Sequence, residues 1–259
     1  MPNWSNILCP ISLIGNGRSG TSLVSQVFSA HPDITYIGET VNLIQSTYYS
    51  IASGLPKRKK ERIPELIRNI FTHLYPTKEK YWFHKPIGAP IIHSNFKDID
   101  QFCEWYWKVF DRVFPHASCF TVLRHPYDVI VSSVDWWGRP EKSIIKSNYI
   151  VAKIISHPSS RVKYAVHYEE LLKKPEENVR GLFNYLGIDY HPDTLKAFDK
   201  NWSVKGHQNG SDLSENVKKK YNSKKEKWDT INQDNLTQEF IEATNKVWEK
   251  FDLKVEWKY

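Results

Sequence analysis

Residues 11–30 constrain the fold of this 259-residue chain more than any other stretch. They read as an apolar strand-like run (Ile11–Ile14), a loop that contains three glycines, and an amphipathic segment that begins at Thr21. A strand, a glycine-rich loop and a helix in this order present backbone N–H groups and a helix N-terminus to an anion. The stretch therefore predicts an α/β fold with an anion-binding loop after its first strand.

The loop nearly fits the phosphate-loop pattern G-x-x-x-x-G-K-[ST]. Gly15 and Gly20 have the required spacing, but Thr21 stands where the pattern has its lysine. A cation occurs three residues earlier instead, at Arg18. Because an ATPase or GTPase needs that lysine for its phosphates, the loop indicates an anion site of a different kind.

A second cation follows the clearest apolar strand, 118–123. The residue directly after it is Arg124, where a phosphate-loop NTPase tends to have an aspartate that serves Mg²⁺. Ser132 lies further along, about two helical turns away. The sequence therefore predicts a site that holds an anion without a metal.

Strand-like and helical patterns alternate along the chain, which is typical of a parallel sheet with helices on both faces. The predicted class is α/β, a three-layer sandwich around a central, mostly parallel sheet of about five strands, similar to phosphate-loop nucleotide kinases. The predicted strands are 11–14, 34–37, 81–85, 118–123 and 161–166. The third ends at Lys85 in this prediction, because Pro86 cannot continue a central ladder.

The remaining segments complete the prediction of a single domain over residues 1–259. Helical spacing occurs at 41–51, 63–74, 99–114, 126–137, 141–155, 175–186 and 236–251. The basic stretch 53–62 is a predicted loop, and the lysine-rich stretch 202–227 is a predicted long loop or lid. The sequence contains no internal repeat, no domain linker and no apolar run long enough to span a membrane.

Composition narrows the class of partner. Hydrophobic residues make up 40% of the chain, enough for a sizeable core, and the net charge is +7. A basic balance favours an anionic partner such as a nucleotide or an acidic glycan, and nucleic acid ranks last because that reading rests only on the net charge and the basic run 57–60. Three cysteines without a CxxC pair or metal spacing indicate free thiols, so we expect a cytoplasmic protein with no metal site; a luminal domain separated from its membrane anchor is the alternative.

Two motifs resemble those of the sulfotransferases that use 3′-phosphoadenosine 5′-phosphosulfate (PAPS). The loop resembles their 5′-phosphosulfate loop, and the pair Arg124 and Ser132 resembles their 3′-phosphate motif. The resemblance covers residues 8–251, but its specific content is these two motifs. It implies that one set of loop residues holds the phosphosulfate: Gly17, Arg18, Ser19, Gly20, Thr21 and Ser22.

Two weaker matches extend the implied nucleotide site. Segment 166–176 resembles the Tyr-Glu-Asp-Leu stretch of the family, which implies that Tyr168 lies near the adenine; a core tyrosine is the alternative. Segment 223–228 resembles the late basic segment that folds over the nucleotide, which implies phosphate contacts for Lys224 and Lys227. Cytosolic members of the family have a longer Arg-Lys-Gly pattern here, which this chain lacks.

Sulfuryl transfer needs a base that takes the acceptor proton. The position of Glu39 resembles that of the catalytic glutamate in tyrosylprotein and many bacterial and carbohydrate sulfotransferases, whereas cytosolic members use a histidine near the position of His84. Residues 84–86 also resemble a Lys-x-Pro segment in which the lysine assists a glutamate. We therefore expect Glu39 as the base and Lys85 as the assisting cation, with His84 as the alternative base. Arg18 would stabilise the charge that develops on the transferring group.

The sequence thus predicts an enzyme that moves a sulfuryl group from PAPS to a hydroxyl or amine of an acceptor, without a metal, and leaves 3′,5′-bisphosphoadenosine (PAP). A carbohydrate is the favoured acceptor, because the glutamate pattern often accompanies glycan acceptors in the family. Two alternatives stay open: a Mg²⁺-dependent nucleotide or small-molecule kinase with a degenerate phosphate loop, and a non-catalytic nucleotide-binding protein. The sequence leaves the oligomeric state undetermined.

Overall fold

The computed structural model describes residues 9–40, 43–75, 79–87, 96–199 and 225–258. Its centre is one sheet made of β1 (Ile11–Ile14), β2 (Ile34–Glu39), β3 (Tyr81–Ile87), β4 (Ser118–Leu123) and β5 (Val162–His167). The spatial order is β2-β3-β1-β4-β5, and every neighbouring pair is parallel. The predicted α/β class with a parallel five-stranded sheet is confirmed.

Helices cover both faces of this sheet. The α-helices are α1 (Thr21–Ser29), α2 (Leu43–Ala52), α3 (Lys57–Lys60), α4 (Ile63–Leu74), α5 (Ile99–Val113), α6 (Pro126–Trp137), α7 (Glu141–Ser156), α8 (Tyr168–Lys173), α9 (Pro175–Leu186) and α10 (Gln238–Glu249). Short 3₁₀ helices occur at Pro192–Phe198, Lys225–Thr230 and Gln233–Asn235. Within the described ranges, no helix combines the length and the apolar character that crossing a bilayer requires.

The sheet separates two apolar clusters of the core, and a third cluster packs among α6, α7, α10 and the 3₁₀ helix Lys225–Thr230. Successive residues of a strand point to opposite faces, so Phe83 packs with α1 and α9, whereas its neighbour Trp82 packs with α4 and α5. The cluster that contains Trp82 also includes residues of α7 and α10. The three inner strands, β1, β3 and β4, are buried on both faces, which explains their apolar runs. The strand ends and loops are left to carry function.

Most predicted element bounds agree with the structure. The bounds of β1, β4, α4, α6 and α9 are those predicted, and Gly187 ends α9 with a left-handed φ of 67°. The basic run is an exception, because residues 57–60 form the short helix α3 where a loop was predicted. Lysine and arginine favour helices. None of these four residues is buried, so their charged groups keep their contact with water when the helical turn forms. The predicted lid 202–227 lies largely outside the described residues.

The third strand is longer than predicted. β3 runs through Pro86 to Ile87 between β1 and β2, so the prediction that it ends at Lys85 is wrong. The pairing of β3 is irregular toward both neighbours at this point. Such bulges leave backbone groups outside the ladder, and a strand tolerates proline there. On the β2 side the irregularity makes Glu39 the register partner of Lys85.

Candidate active site

The loop after β1 leads directly into the N-terminus of α1. Gly20 precedes the helix in a left-handed conformation (φ 101°), and no side chain caps the first turn. Arg18 also has a positive φ of 66°, which is uncommon for a residue with a side chain. The buried Ser19 hydroxyl donates a hydrogen bond to the Asn16 carbonyl (2.7 Å) and fixes the turn. The first turn of α1 therefore has no side-chain cap, a geometry in which its N–H groups could serve an anion.

Two aromatic rings hold this loop in place. A Cβ added at Gly17 would overlap the ring of Trp137, and one added at Gly20 would overlap the ring of Tyr168. A side chain at either position would therefore displace a ring that shapes the site. Of the two hydroxyl residues that open α1, Thr21 is buried and Ser22 is half-buried.

Arg18 reaches from the loop to α6. Its Nε donates to Ser132 Oγ (3.3 Å), and its guanidinium lies 4.5 Å from the ring centre of Trp136. Burial lowers the pKa of Arg18, and the positive charge of Arg124 lowers it further. An anion between the two arginines would relieve both effects, because it offsets desolvation and repulsion together.

Arg124 follows β4 and turns back toward the same loop. Its Nη1 donates to the Arg18 carbonyl (2.9 Å), and its guanidinium lies 5.3 Å from the ring centre of Tyr168. Its side chain is 8% exposed and pairs with the buried carboxylate of Asp128 at 3.7 Å. The structure thus brings together two arginines, Ser132 and Tyr168, which come from three separate segments of the chain.

Glu39 and Lys85 meet at the carboxyl ends of β2 and β3. The Lys85 ammonium donates to Glu39 Oε1, and the two residues are register partners. Burial lowers the pKa of Lys85, and the Glu39 charge partly offsets this shift. The Glu39 side chain is 48% exposed, whereas the Lys85 side chain is 5% exposed. The carboxylate can therefore reach a substrate while the lysine supports it from beneath.

His84 lies on the opposite face of β3 from Lys85, inside the core. The two ring nitrogens contact Ser12 Oγ (2.6 Å) and Thr40 Oγ1 (2.8 Å), and the residue is fully buried. Burial lowers the pKa of His84 to about 3, so the ring is neutral. The structure therefore does not bring His84 into the group formed by Glu39 and Lys85.

The late lysines have different positions. Lys227, in the 3₁₀ helix Lys225–Thr230, contacts Asp135 on α6 at 3.1 Å, about one helical turn from Ser132. Lys224 lies outside the described residues.

The structure adds two residues that sequence reasoning missed, Asp128 and Trp228, whose side chains are joined by a hydrogen bond of 2.7 Å. Asp128 could have been found from the sequence, because it lies one helical turn after Arg124.

Trp228 ends the segment 223–228 that the sequence analysis singled out, but its contact with Asp128 leaves no mark on local spacing because the two residues are far apart in the chain. Among the described residues, no group of three or more histidine, cysteine, aspartate or glutamate side chains is arranged to hold a metal ion.

Comparison with known proteins agrees with this geometry. The model of the sulfotransferase family matches residues 10–192, which include the loop and both motif arginines. A Caenorhabditis briggsae protein named "Putative protein-tyrosine sulfotransferase" is 23% identical over 193 residues, which span 70% of this chain and 66% of that protein's length. A solved sulfotransferase domain from the Synechococcus PCC 7002 olefin synthase shares the fold, with a TM-score of 0.55 and 16% identity over 91% of this chain and 94% of that domain. Because the family model covers well over half of its length, the chain belongs to the sulfotransferase family.

Proposed function

We propose that this sulfotransferase takes its sulfuryl group from PAPS and transfers it to an acceptor hydroxyl, with Glu39 as the base. The observation that carries the proposal is that Arg18, Arg124 and Ser132 lie together beside the loop that leads into α1. PAPS carries a 5′-phosphosulfate and a 3′-phosphate, and each arginine belongs to a motif that resembles the segment for one of these groups. A nucleoside triphosphate would instead need the loop lysine that Thr21 replaces.

The residues of the site fit this donor. The first-turn amides of α1 and the Arg18 guanidinium would hold the 5′-phosphosulfate. Arg124 and Ser132 would hold the 3′-phosphate, since a guanidinium carries five N–H donors and can serve a phosphate together with the Arg18 carbonyl. Tyr168 lies against the loop at Gly20, where its ring could border the adenosine.

Two late lysines complete the proposed nucleotide site. Lys227 is held by Asp135 on the helix that carries Ser132, so its ammonium could turn to a phosphate bound there. Lys224 belongs to the same proposal on the sequence resemblance alone.

Glu39 would accept the proton of the acceptor hydroxyl as its oxygen attacks the sulfur. The bound donor supplies the sulfuryl group, and the bond between sulfur and the bridging oxygen breaks, so that the electron pair leaves with PAP. Once Glu39 is neutral, Lys85 has lost its counter-charge and can stabilise negative charge on the leaving oxygen. Arg18 and the loop amides would stabilise the oxygens of the transferring group.

His84 is not the base in this proposal. Its ring is fully buried and both nitrogens contact hydroxyl groups, so a substrate proton cannot reach it without a rearrangement of β1 and β3. Its contact with Thr40 instead holds the residue that follows Glu39. We propose that His84 supports the position of the base from the core.

The acceptor is proposed to be a hydroxyl of a sugar or of a tyrosine. The sequence resemblance favours a carbohydrate, whereas the Caenorhabditis briggsae relative is named for protein tyrosine. Two exposed rings beside the loop, Trp136 and Trp137, could face either a sugar or a phenol. PAP release in the presence of PAPS and either a tyrosyl peptide or an oligosaccharide would distinguish these acceptors. The predicted cytoplasmic location is part of this proposal.

Binding of PAP tests the donor. We expect PAP to raise the melting temperature with or without Mg²⁺, and ATP to have little effect, because the site lacks the loop lysine. Arg124→Ala should weaken PAP binding about 10- to 100-fold, since it removes a charged donor to the phosphate. Arg180→Ala is the matched control, because Arg180 is an exposed arginine on α9 that pairs with Glu176.

A stabilisation by ATP that requires Mg²⁺, with no response to PAP, would overturn the proposal in favour of a kinase. Binding of PAP without any release of PAP from PAPS, for every acceptor tried, would favour the non-catalytic alternative.

A further inference from the structure

A buried hydrogen-bonded chain leads from Arg124 to a tryptophan more than 100 residues away. The Asp128 carboxylate, whose side chain is 1% exposed, lies 3.7 Å from Arg124 Nη2. Its other oxygen accepts a hydrogen bond of 2.7 Å from the indole Nε1 of Trp228. Asp128 therefore stands between the arginine of the 3′-phosphate motif and the 3₁₀ helix Lys225–Thr230.

The burial of Asp128 makes these two contacts strong constraints. A carboxylate removed from water needs charged or hydrogen-bonding partners, and the loss of one leaves the charge poorly compensated. Arg124 supplies the opposite charge, and Trp228 supplies a donor that is itself 6% exposed. The position of the carboxylate therefore depends on both partners, and the position of the Arg124 guanidinium depends on the carboxylate.

The indole of Trp228 is itself held by several groups. The ring of His125 stacks on it at 4.2 Å with an interplanar angle of 15°, and the ring of Tyr127 meets it edge-on at 5.4 Å. The Lys258 ammonium lies 5.7 Å from the indole centre and also donates to Asp229 at 2.9 Å. The indole that donates to Asp128 is therefore held by the segment that follows β4 as well as by Lys258 near the C-terminus.

We propose that Asp128 and Trp228 are positioning residues that orient Arg124 toward a 3′-phosphate, and so determine the preference for nucleotides that carry this group over those that lack it. This inference rests on the proposed use of PAPS. The guanidinium contacts the Arg18 carbonyl through one nitrogen and the Asp128 carboxylate near the other, and the ring of Tyr168 lies beside it. Loss of the contact with Asp128 would let the guanidinium turn, and this would weaken binding of the 3′-phosphate but not of the rest of the nucleotide.

The test compares PAP with 5′-AMP, which lacks the 3′-phosphate, by isothermal titration calorimetry on the full chain. Trp228→Phe keeps an aromatic ring for His125 but removes the indole donor. We expect the ratio of the dissociation constants, 5′-AMP over PAP, to fall about tenfold in this variant. Asp128→Asn, which keeps an acceptor for the indole but loses the charge near Arg124, should lower the ratio at least as far.

Trp257→Phe is the matched control. Its indole also donates to a side chain, Asn245 Oδ1 at 2.8 Å, in the same C-terminal region. We expect its ratio to stay within about twofold of the parent protein, because the lost bond is not shared with Asp128 or Arg124.

The outcomes separate this inference from the proposed function. If the parent protein binds PAP no better than 5′-AMP, the proposed donor is wrong and the inference falls with it. If the parent protein prefers PAP and the ratio is unchanged in both Trp228→Phe and Asp128→Asn, the inference alone is wrong. A parallel loss of affinity for both nucleotides would also overturn it, because that result indicates a general structural defect.

Discussion

Glu39 and Lys85 differ sharply in exposure, and their proposed roles rest on this difference. The carboxylate is about half exposed at the strand end, while the lysine is almost fully buried and donates to it. A buried ammonium is held in place by its counter-charge, so the pair stays together until that charge is lost. In the proposed reaction, Glu39 takes up a proton and Lys85 thereby loses its ion-pair partner, so the two changes are parts of one event.

Glu39→Gln should separate catalysis from donor binding. We expect the rate of sulfuryl transfer to fall about 10²- to 10⁴-fold, because the amide cannot take the acceptor proton. The dissociation constant of PAP should stay within about twofold, since Glu39 contacts neither arginine of the nucleotide site. Release of PAP from PAPS in the presence of an acceptor measures the first, and calorimetry measures the second.

Glu65→Gln is the control, because Glu65 is an exposed carboxylate on α4. Full activity of Glu39→Gln would remove Glu39 from the role of base.

At the scale of elements, the loop between β1 and α1 depends on close contact with aromatic rings from other segments. Gly20 has a left-handed φ and lies against Tyr168, which begins α8, and Gly17 lies against Trp137 at the end of α6. The loop is therefore shaped by two elements that follow β4 and β5. Its glycines allow close packing as well as an unusual backbone conformation.

Gly20→Ala should disturb the nucleotide site more than its backbone strain alone predicts. A Cβ at this position overlaps the Tyr168 ring, so the ring and the Arg124 guanidinium above it must move. We expect the affinity for PAP to fall at least about tenfold, together with a loss of stability of roughly 1–3 kcal/mol. Calorimetry and urea unfolding measure the two effects.

Gly187→Ala is the matched control, because Gly187 also has a positive φ but a Cβ there meets nothing within 4 Å. It should lose stability and keep its affinity for PAP. Equal affinity in both variants would show that the contact with Tyr168 is unimportant for binding.

At the scale of the whole molecule, the parallel sheet brings distant motifs to one edge. The carboxyl ends of its strands carry the loop, the Glu39–Lys85 pair and Arg124, as open α/β sheets place their ligands. Beneath this edge, His84 joins β3 to β1 and to Thr40 through two buried contacts. The prediction that residues 1–259 form a single domain stays a prediction.

The buried His84 predicts how global stability depends on pH. Burial lowers its pKa from 6.5 to about 3. As the pH falls below about 6.5, the unfolded chain takes up a proton that the folded protein refuses, so the stabilisation present above this pH is lost toward about pH 3. We therefore expect the difference in the free energy of unfolding between the parent protein and His84→Gln to shrink from about pH 7.5 to about pH 4.5.

Urea unfolding at several pH values measures this difference. Phe114→Leu is the control, because Phe114 packs on the His84 ring (5.2 Å between centres) but does not titrate. Its destabilisation should be similar at every pH. A constant difference for His84→Gln would show that the histidine is not held neutral.

Sequence alone determined the features whose residues are neighbours in the chain. The strand–glycine loop–helix unit, Arg124 at the end of β4 and the bounds of α6 all follow from local composition and spacing. The alternation of strands and helices was enough to predict the parallel sheet, because parallel strands need helical crossovers. For the same reason, Arg18 and Arg124 could be expected at one sheet edge before any contact was known.

Contacts between distant segments determine which of the candidate side chains lie together, and the sequence did not predict them. The bulge that lets β3 pass through Pro86 makes Glu39 the partner of Lys85, whereas the alternation of side chains along the same strand puts His84 in the core. The contact of Asp128 with Trp228 joins residues whose local sequences carry no sign of each other. Packing between distant segments buries some of the charged groups and leaves others exposed. It therefore accounts for the choice of Glu39 as the proposed base and for the positions of the two arginines.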